Sequence, residues 1–476
     1  MRALLLLLSL LAVRSASADP APAPASVTEP RYRVETCCQL CPAASNRSLY
    51  NTGFLEGFAT LVEGRDGWLF RSDDDLREVF GPDAEGYAGL RRFRDALRRR
   101  GTELVMVYQP TRGLMHADQL PPEVRRRYHQ GLARTSYAMT LERFRKAGVV
   151  VPAFDQLFES PGTAPPYFFR GDHHWTPEGA RRTAQLTAAE IKRMPVYPRL
   201  ARKSFSTSRI GVLAKRGTLQ KAASQLCGFG YPDQYVDRYS TGAAEGGDLF
   251  GEDRAPEITL VGTSNSDSAY NFAGFLSEYL GVEVLNESLA GGGFDGPLFR
   301  YLPSEAFQKS PPKILIWELQ TYHNLSERDF YRRVLPLIGN GCAGRAPVLS
   351  RTVSLKGART EALFNGGGQV RDLVGRDYQL DIRFDDPAVE KLKGTVWYAD
   401  GSKDHISLEN SPRVEAQGRF VVELRSDGDY GQRTFLSLDL EAPEGVPAGG
   451  SVKAQLCRRD DARPESRRVA ALAAWP

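Results

Sequence analysis

Five apolar runs constrain the fold of this chain more than any other feature: "ELVMVYQP", "GVVVPAF", "ITLVGTS", "VEVLNES" and "KILIWEL", between residues 103 and 319. Runs without polar alternation have no face to offer water, so a sheet built from them must be covered on both sides. Helical or loop segments separate them. The segment "YAGLRRFRDALRRRG" has apolar residues at helical spacing and stops at Gly101, and Pro110 ends the strand run that follows. This alternation predicts an α/β domain with a largely parallel sheet. After Cys342 the period changes. The stretches "TVWYADG", "RFVVELRS", "RTFLSLDLEA" and "SVKAQLC" are short and alternating, with Gly, Asp and Pro between them, and predict an antiparallel β-sandwich.

The remaining segments set the compartment. Residues 1–18 begin with Arg2 and an apolar run, and Ala16, Ser17 and Ala18 offer a cleavage site, so they read as a secretory signal. A Pro- and Ala-rich linker, "DPAPAPASVTEP", follows at 19–30. The expected layout is then an α/β domain over 31–341, a β-sandwich over 342–457 and a disordered, charged tail over 458–476. No later stretch approaches the roughly 18 apolar residues of a membrane-spanning helix, so the expected location is exported, outside the cytoplasm. The formal charge of +4 falls to +2 without Arg2 and Arg14, which announces no nucleic acid partner. Six cysteines in an exported chain imply disulfides. Cys342 and Cys457 bracket the sandwich, and Cys227 is expected to pair with one of Cys37, Cys38 and Cys41.

Two stretches carry reactive groups. In "FRGDHHWTPEGA", Asp172, His173 and His174 stand before a helix start with Thr176 as cap and Pro177 in the first turn. An Asp two residues before a His can orient the imidazole from one loop, although a polar helix start explains the same letters. In "ITLVGTSNSDSAYNFAGFLSEYLG", Ser264 falls at the carboxyl end of a strand, where open α/β sheets place ligands, or simply caps a helix with its neighbours. Each stretch supplies what the other lacks, a base and a nucleophile. The loop "LNESLAGGGFDG" adds Gly291, Gly292 and Gly293, and Asn286 or a glycine N–H such as that of Gly292 is a candidate for an oxyanion hole. The remaining histidines, His116, His129, His323 and His405, show no ligand spacing. Neither a metal nor any other cofactor is expected, and no phosphate loop or dinucleotide fingerprint occurs.

In order along the chain, "CCQLCP", "DGWLFR", "VYQPTRGL", "YFFRGDHHWTPEGA", "TLVGTSNS", "YNFAGFLSEYL", "GGGFDG" and "PPKILIWE" resemble the AlgX-type alginate O-acetyltransferases of the SGNH hydrolase-like group. The resemblance implies an SGNH hydrolase-like domain followed by a carbohydrate-binding-module-like sandwich. It implies Ser264 as nucleophile, His174 as base and Asp172 as the group orienting it, in an order opposite to the common SGNH order. Arg170, and Tyr322 or His323 in the loop after "IWE", are candidates for positioning substrate. In the sandwich, the resemblance directs attention to Lys393, Thr395, Trp397, Arg371 and Arg376, since cations match uronate carboxylates and an aromatic face stacks on a sugar. Trp397 in an alternating strand is also explained as core. The implied activity is acetylation of the 2- or 3-hydroxyl of mannuronate in the periplasm. The implied partners are the alginate chain, an acetyl-donor protein and the proteins of alginate export and modification. A secreted carbohydrate esterase with the same triad and a non-catalytic polysaccharide-binding scaffold are the alternatives.

Overall fold

The computed structural model describes residues 40–159, 165–244, 255–355, 357–410, 413–414, 417–442 and 450–462; the expected signal and linker, Cys37 and Cys38 lie outside them. An antiparallel pair, β1 (Leu61–Glu63) and β2 (Leu69–Arg71), precedes β3 (Glu103–Gln109). A long antiparallel hairpin follows, β4 (Phe205–Lys215) and β5 (Gln234–Ala243), then β6 (Ile258–Val261), β7 (Val284–Asn286) and β8 (Ile314–Gln320). Strands β3, β8, β6 and β7 lie side by side in that order, all parallel. Every residue of β6 and β8 is buried, as their mostly apolar runs require, and Glu318 and Gln320 of β8 are buried with them. Helices Ala84–Arg99 and Arg328–Ile338 cover one face, where Phe93 and Phe330 both pack on Trp317. Because β8 alternates sides, Glu318 points to the other face.

One expected strand is reduced to a bridge. In "GVVVPAF" only Val150 pairs, opposite Val105, with hydrogen bonds of 2.9 and 3.2 Å to the neighbouring β3 residues Met106 and Leu104. Pro152 has no N–H to extend the ladder. The β4–β5 hairpin and the β1–β2 pair have no counterpart in the sequence reading, because their alternation is weak.

The C-terminal strands are β9 (Leu349–Ser354), β10 (Arg359–Phe364), β11 (Tyr378–Phe384), β12 (Lys391–Tyr398), β13 (Lys403–Glu409), β14 (Arg419–Glu423), β15 (Phe435–Glu441) and β16 (Ser451–Arg458). They form two antiparallel sheets, β10-β15-β12-β13 and β14-β11-β16-β9, around a core that includes Leu380, Val396, Tyr398, Phe435 and Leu456. Disulfides join Cys342 to Cys457 and Cys41 to Cys227. The expected tail starts too early. Strand β16 runs through Arg458, and buried Arg459 lies 3.1 Å from both Glu423 and Asp461, while Arg92 bonds Glu423 at 2.8 Å and Asp461 at 3.0 Å. The charges read as a mark of disorder are complementary to charges at the junction of the two domains. Residues 463–476 lie outside the described residues.

Candidate active site

One buried side chain ties together several carbonyls of the segment from Phe169 to His174. Arg112, 1% exposed, donates to the carbonyls of Leu69, Phe169, Arg170 and Asp172 at 2.6–3.1 Å. Burial pulls its pKa down to about 10, with Asp75 opposing, so the guanidinium stays charged at neutral pH. Thr176 caps the helix Pro177–Ile191 by accepting from the Gly179 N–H at 3.1 Å, as the sequence predicts.

His174 bridges the two halves of the site. Its Nδ1 is hydrogen-bonded to Asp172 Oδ1, and its Nε2 lies 2.8 Å from Ser264 Oγ, 90 residues away in sequence. Asp172 Oδ1 also accepts the His174 N–H at 2.8 Å, and Oδ2 accepts the Thr218 N–H at 2.7 Å. That N–H opens the helix Thr218–Cys227, whose positive end faces the carboxylate. The approach requires glycine: a Cβ on Gly217 would lie 1.7 Å from the Gly171 carbonyl oxygen. Burial pushes the Asp172 carboxyl up, but His174, His173 and Lys215 together hold it well below the usual carboxylate range. Lys215 Nζ lies 3.8 Å from Asp172 and donates to the Tyr270 hydroxyl at 2.6 Å, and the Tyr270 ring stacks on His174 at 5.5 Å. Lys215, Thr218 and Tyr270 were not singled out in the sequence, where nothing ties them to Asp172.

Ser264 is half-buried and opens a 3-10 turn, Ser264–Ser266, directly after β6. A second such turn precedes the helix Phe272–Leu280. The Ser264 backbone N–H makes no hydrogen bond among the described residues, which leaves it available to an oxyanion. Glu318 anchors the turn from below: its buried carboxyl accepts the Thr263 N–H at 2.8 Å and the hydroxyls of Thr263 and Ser266 at 3.0 Å each. A Cβ on Gly262 would lie 2.8 Å from that carboxyl. The sequence reading did not single out Glu318, although an acid inside an otherwise apolar strand run marks it.

Burial raises the Glu318 pKa from 4.5 to about 7, against the opposing hydrogen bonds. The stability this group gives is therefore full below about pH 4.5 and is lost as pH rises through about 7. Relative to Glu318→Gln, which cannot titrate, the wild type is expected to lose roughly 2–3 kcal/mol between pH 5 and pH 8. Denaturant midpoints of both proteins at the two pH values measure this, and a pH-independent difference would contradict it.

Other expected site residues are placed differently. The Asn286 side chain donates one amide N–H to the Ser266 carbonyl at 2.9 Å and accepts the Ser288 N–H at 3.1 Å, so it braces the serine loop. The Gly292 N–H is taken by the Leu289 carbonyl at 3.0 Å. His323 is 2.7 Å from Gln320, which donates to Thr263 Oγ1 at 2.9 Å beside the serine, while Arg71 lies over the Tyr322 ring at 4.7 Å. Burial takes His323 down to about 3 and Tyr322 up to about 12, so both are neutral at pH 7. The Arg170 backbone pairs with Gln234, Leu69 and Arg112. Among the described residues Asp172, His173 and His174 are the one cluster with metal-ligand character, and the Asp172 carboxylate, both His174 ring nitrogens and His173 Nδ1 already bond Thr218, Ser264 and each other.

Residues 61–321 match the family described as "SGNH hydrolase-like domain, acetyltransferase AlgX", and residues 341–470 match a "C-terminal carbohydrate-binding module". The chain is 46% identical over 437 residues to the alginate biosynthesis protein AlgX of Pseudomonas aeruginosa, covering 91% of this chain and 92% of the relative. The chain belongs to the AlgX family. A solved structure of Pseudomonas aeruginosa AlgX matches it with a TM-score of 0.81 over 88% of this chain and 99% of that one, at 46% identity. The chain is also 30% identical over 283 residues to the probable alginate O-acetylase AlgJ of Pseudomonas aeruginosa, covering 56% of this chain and 71% of that protein. The AlgX-family architecture, an SGNH-like domain followed by a carbohydrate-binding module of antiparallel sheets, is the one the sequence led us to expect.

In the module, Leu392, Val396 and Tyr398 of β12 turn inward, so Lys393, Thr395 and Trp397 share the outer face. Trp397 is not core. It is half-buried, donates to Asp439 at 2.9 Å and carries the Lys403 ammonium over its ring at 4.2 Å. Arg371 and Arg376 lie instead in the connection between β10 and β11, where Arg371 donates to the Val348 carbonyl at 2.7 Å.

Proposed function

We propose that this chain transfers acetyl groups to the 2- or 3-hydroxyl of mannuronate residues of alginate in the periplasm, through an acetyl-Ser264 intermediate. The reading rests on one observation, His174 hydrogen-bonded on one side to Asp172 and on the other to Ser264 at 2.8 Å. His174 takes the Ser264 proton as Oγ attacks the acetyl carbonyl of the donor, and returns it to the donor's leaving group. A mannuronate hydroxyl, deprotonated by the same imidazole, then attacks the acetyl-serine, and Ser264 recovers its proton. Asp172 fixes the tautomer and stabilises the imidazolium. The Ser264 N–H is a donor for the tetrahedral oxyanion. Kinship with AlgX and AlgJ supports alginate as acceptor, and two disulfides fit an oxidising compartment. The expected partners are the alginate chain, an acetyl-donor protein and other export and modification proteins, and the chemistry needs no cofactor.

Incubating the protein with a chromogenic acetyl ester and mannuronate oligomers is expected to yield acetylated oligomer by mass spectrometry. Free acetate alone, unaffected by oligomer, would replace the transferase with an esterase.

A further inference from the structure

A cleft of about 360 Å³ lies between the two domains, lined by Arg300 and Arg333 from the SGNH-like domain and by Arg383 and Arg419 from the module. Among the described residues no acidic side chain lines it. Arg419 is matched by Asp381 at 2.6 Å and Arg300 by Glu287 at 3.1 Å, but both acids stand outside the lining. The other two cations form no ion pair among the described residues, although Asp295, Glu327 and Asp329 lie near enough to Arg333 to favour its charge. Arg333 donates to Asn410 and to the Glu409 carbonyl at 2.8 and 3.0 Å, and lies over the Phe299 ring at 4.4 Å; exposed Arg383 at the end of β11 forms no side-chain bond among the described residues. Phe299, Leu408 and Phe420 supply apolar surface to the same walls.

The cleft is joined to the serine loop. Arg300 donates to the carbonyls of Glu287 and Ser288, and the Ser288 hydroxyl donates to the Ser266 carbonyl at 3.2 Å. Four guanidinium groups, two of them outside any ion pair among the described residues, suit a ligand that repeats carboxylates, because guanidinium and carboxylate match as two-pronged partners. The apolar walls suit the C–H faces of sugar rings.

We infer that this interdomain cleft is a polyuronate subsite, distinct from the outer face of β12, which holds the acceptor chain between the domains while one residue reaches Ser264. The identity of the polymer rests on the proposed acetyl transfer. Calorimetric titration of the full chain with mannuronate oligomers is expected to show about tenfold weaker binding for Arg383→Glu and for Arg333→Gln, and near-normal binding for Arg383→Lys. Hydrolysis of the small chromogenic ester is expected to be unchanged in Arg383→Glu, which shows that the variant is folded. Equal affinity of wild type, Arg383→Glu and Arg333→Gln would overturn the subsite and leave the acetyl-transfer reading standing. Parallel loss of binding to a neutral mannan oligomer of equal length would overturn the assignment to a carboxylate-bearing chain. Failure of the wild type to bind mannuronate at all would remove the acceptor from both readings.

Discussion

Ser264→Ala is expected to lower acetyl transfer to mannuronate oligomers by at least about 10³-fold and to leave the fold intact. The two halves of this expectation have separate origins. Oγ is the only group at this position that can carry the acetyl intermediate, so its loss removes a pathway, whereas the donor positions of the oxyanion site remain. The side chain is half-buried, and its hydrogen bond is to His174, which keeps its bond to Asp172. A change within about 0.5 kcal/mol in unfolding free energy is therefore expected. His174→Ala is expected to lose as much activity, and the double variant to lose little more, because nucleophile and base act as one unit. Mass spectrometry of the oligomers and thermal unfolding of the three variants test this together. Full polymer acetylation by Ser264→Ala would reduce the chain to a binding scaffold.

The parts of this site that are legible in the sequence are those carried by local chain geometry. Asp172 and His174 stand two residues apart on one loop, and Ser264 ends an apolar strand run, so each could be read without its partners. The groups that tune them come from elsewhere in the chain. Lys215 and Thr218 reach Asp172 from the end of the hairpin strand and the helix after it, and Tyr270 comes from beyond β6. No spacing announces such contacts, since they depend on how the chain returns. Gly292 shows the opposite case: its residue type suits an oxyanion hole, yet its N–H is already used within the loop, and Asn286 spends one of its two amide N–H groups on the Ser266 carbonyl. Whether a backbone N–H is free is a property of the folded turn and leaves no mark in composition.

The same distinction explains the sheets. Unbroken apolar runs gave β3, β6, β7 and β8, because burial on both faces forces composition directly. In β12 the alternation was read correctly but its phase was open: Leu392, Val396 and Tyr398 claim the inner face and turn Trp397 outward. The 458–462 segment, rich in Arg and Asp, looked solvated until Arg345 and Glu423 of the module, and Arg92 from across the domain junction, supplied partners.

The largest stability effect is expected at Arg112. Replacing it with Met, of similar length and apolar, would leave the carbonyls of Leu69, Phe169 and Asp172 without the donors they now share. A buried polar group stripped of its partner costs about 1–3 kcal/mol, so three carbonyls together imply a loss of roughly 3–9 kcal/mol. Asp75 would add to this, since it lies 3.5 Å from Arg112 and would keep only Arg71. The three rings around the guanidinium, Trp68, Phe70 and Phe168, would accept the methionine, so sterics offer no competing explanation. Activity is expected to fall as well, by about 10²-fold in whatever fraction stays folded, because the Phe169–His174 loop positions the base and a shift of about 1 Å is enough. Arg112→Lys keeps the charge but offers a point donor in place of a planar fork, and is expected to recover only part of the stability. Denaturant unfolding of both variants, with transfer assayed below their midpoints, separates the two effects. Wild-type stability in Arg112→Met would mean that the carbonyls find other donors and that the clamp is dispensable.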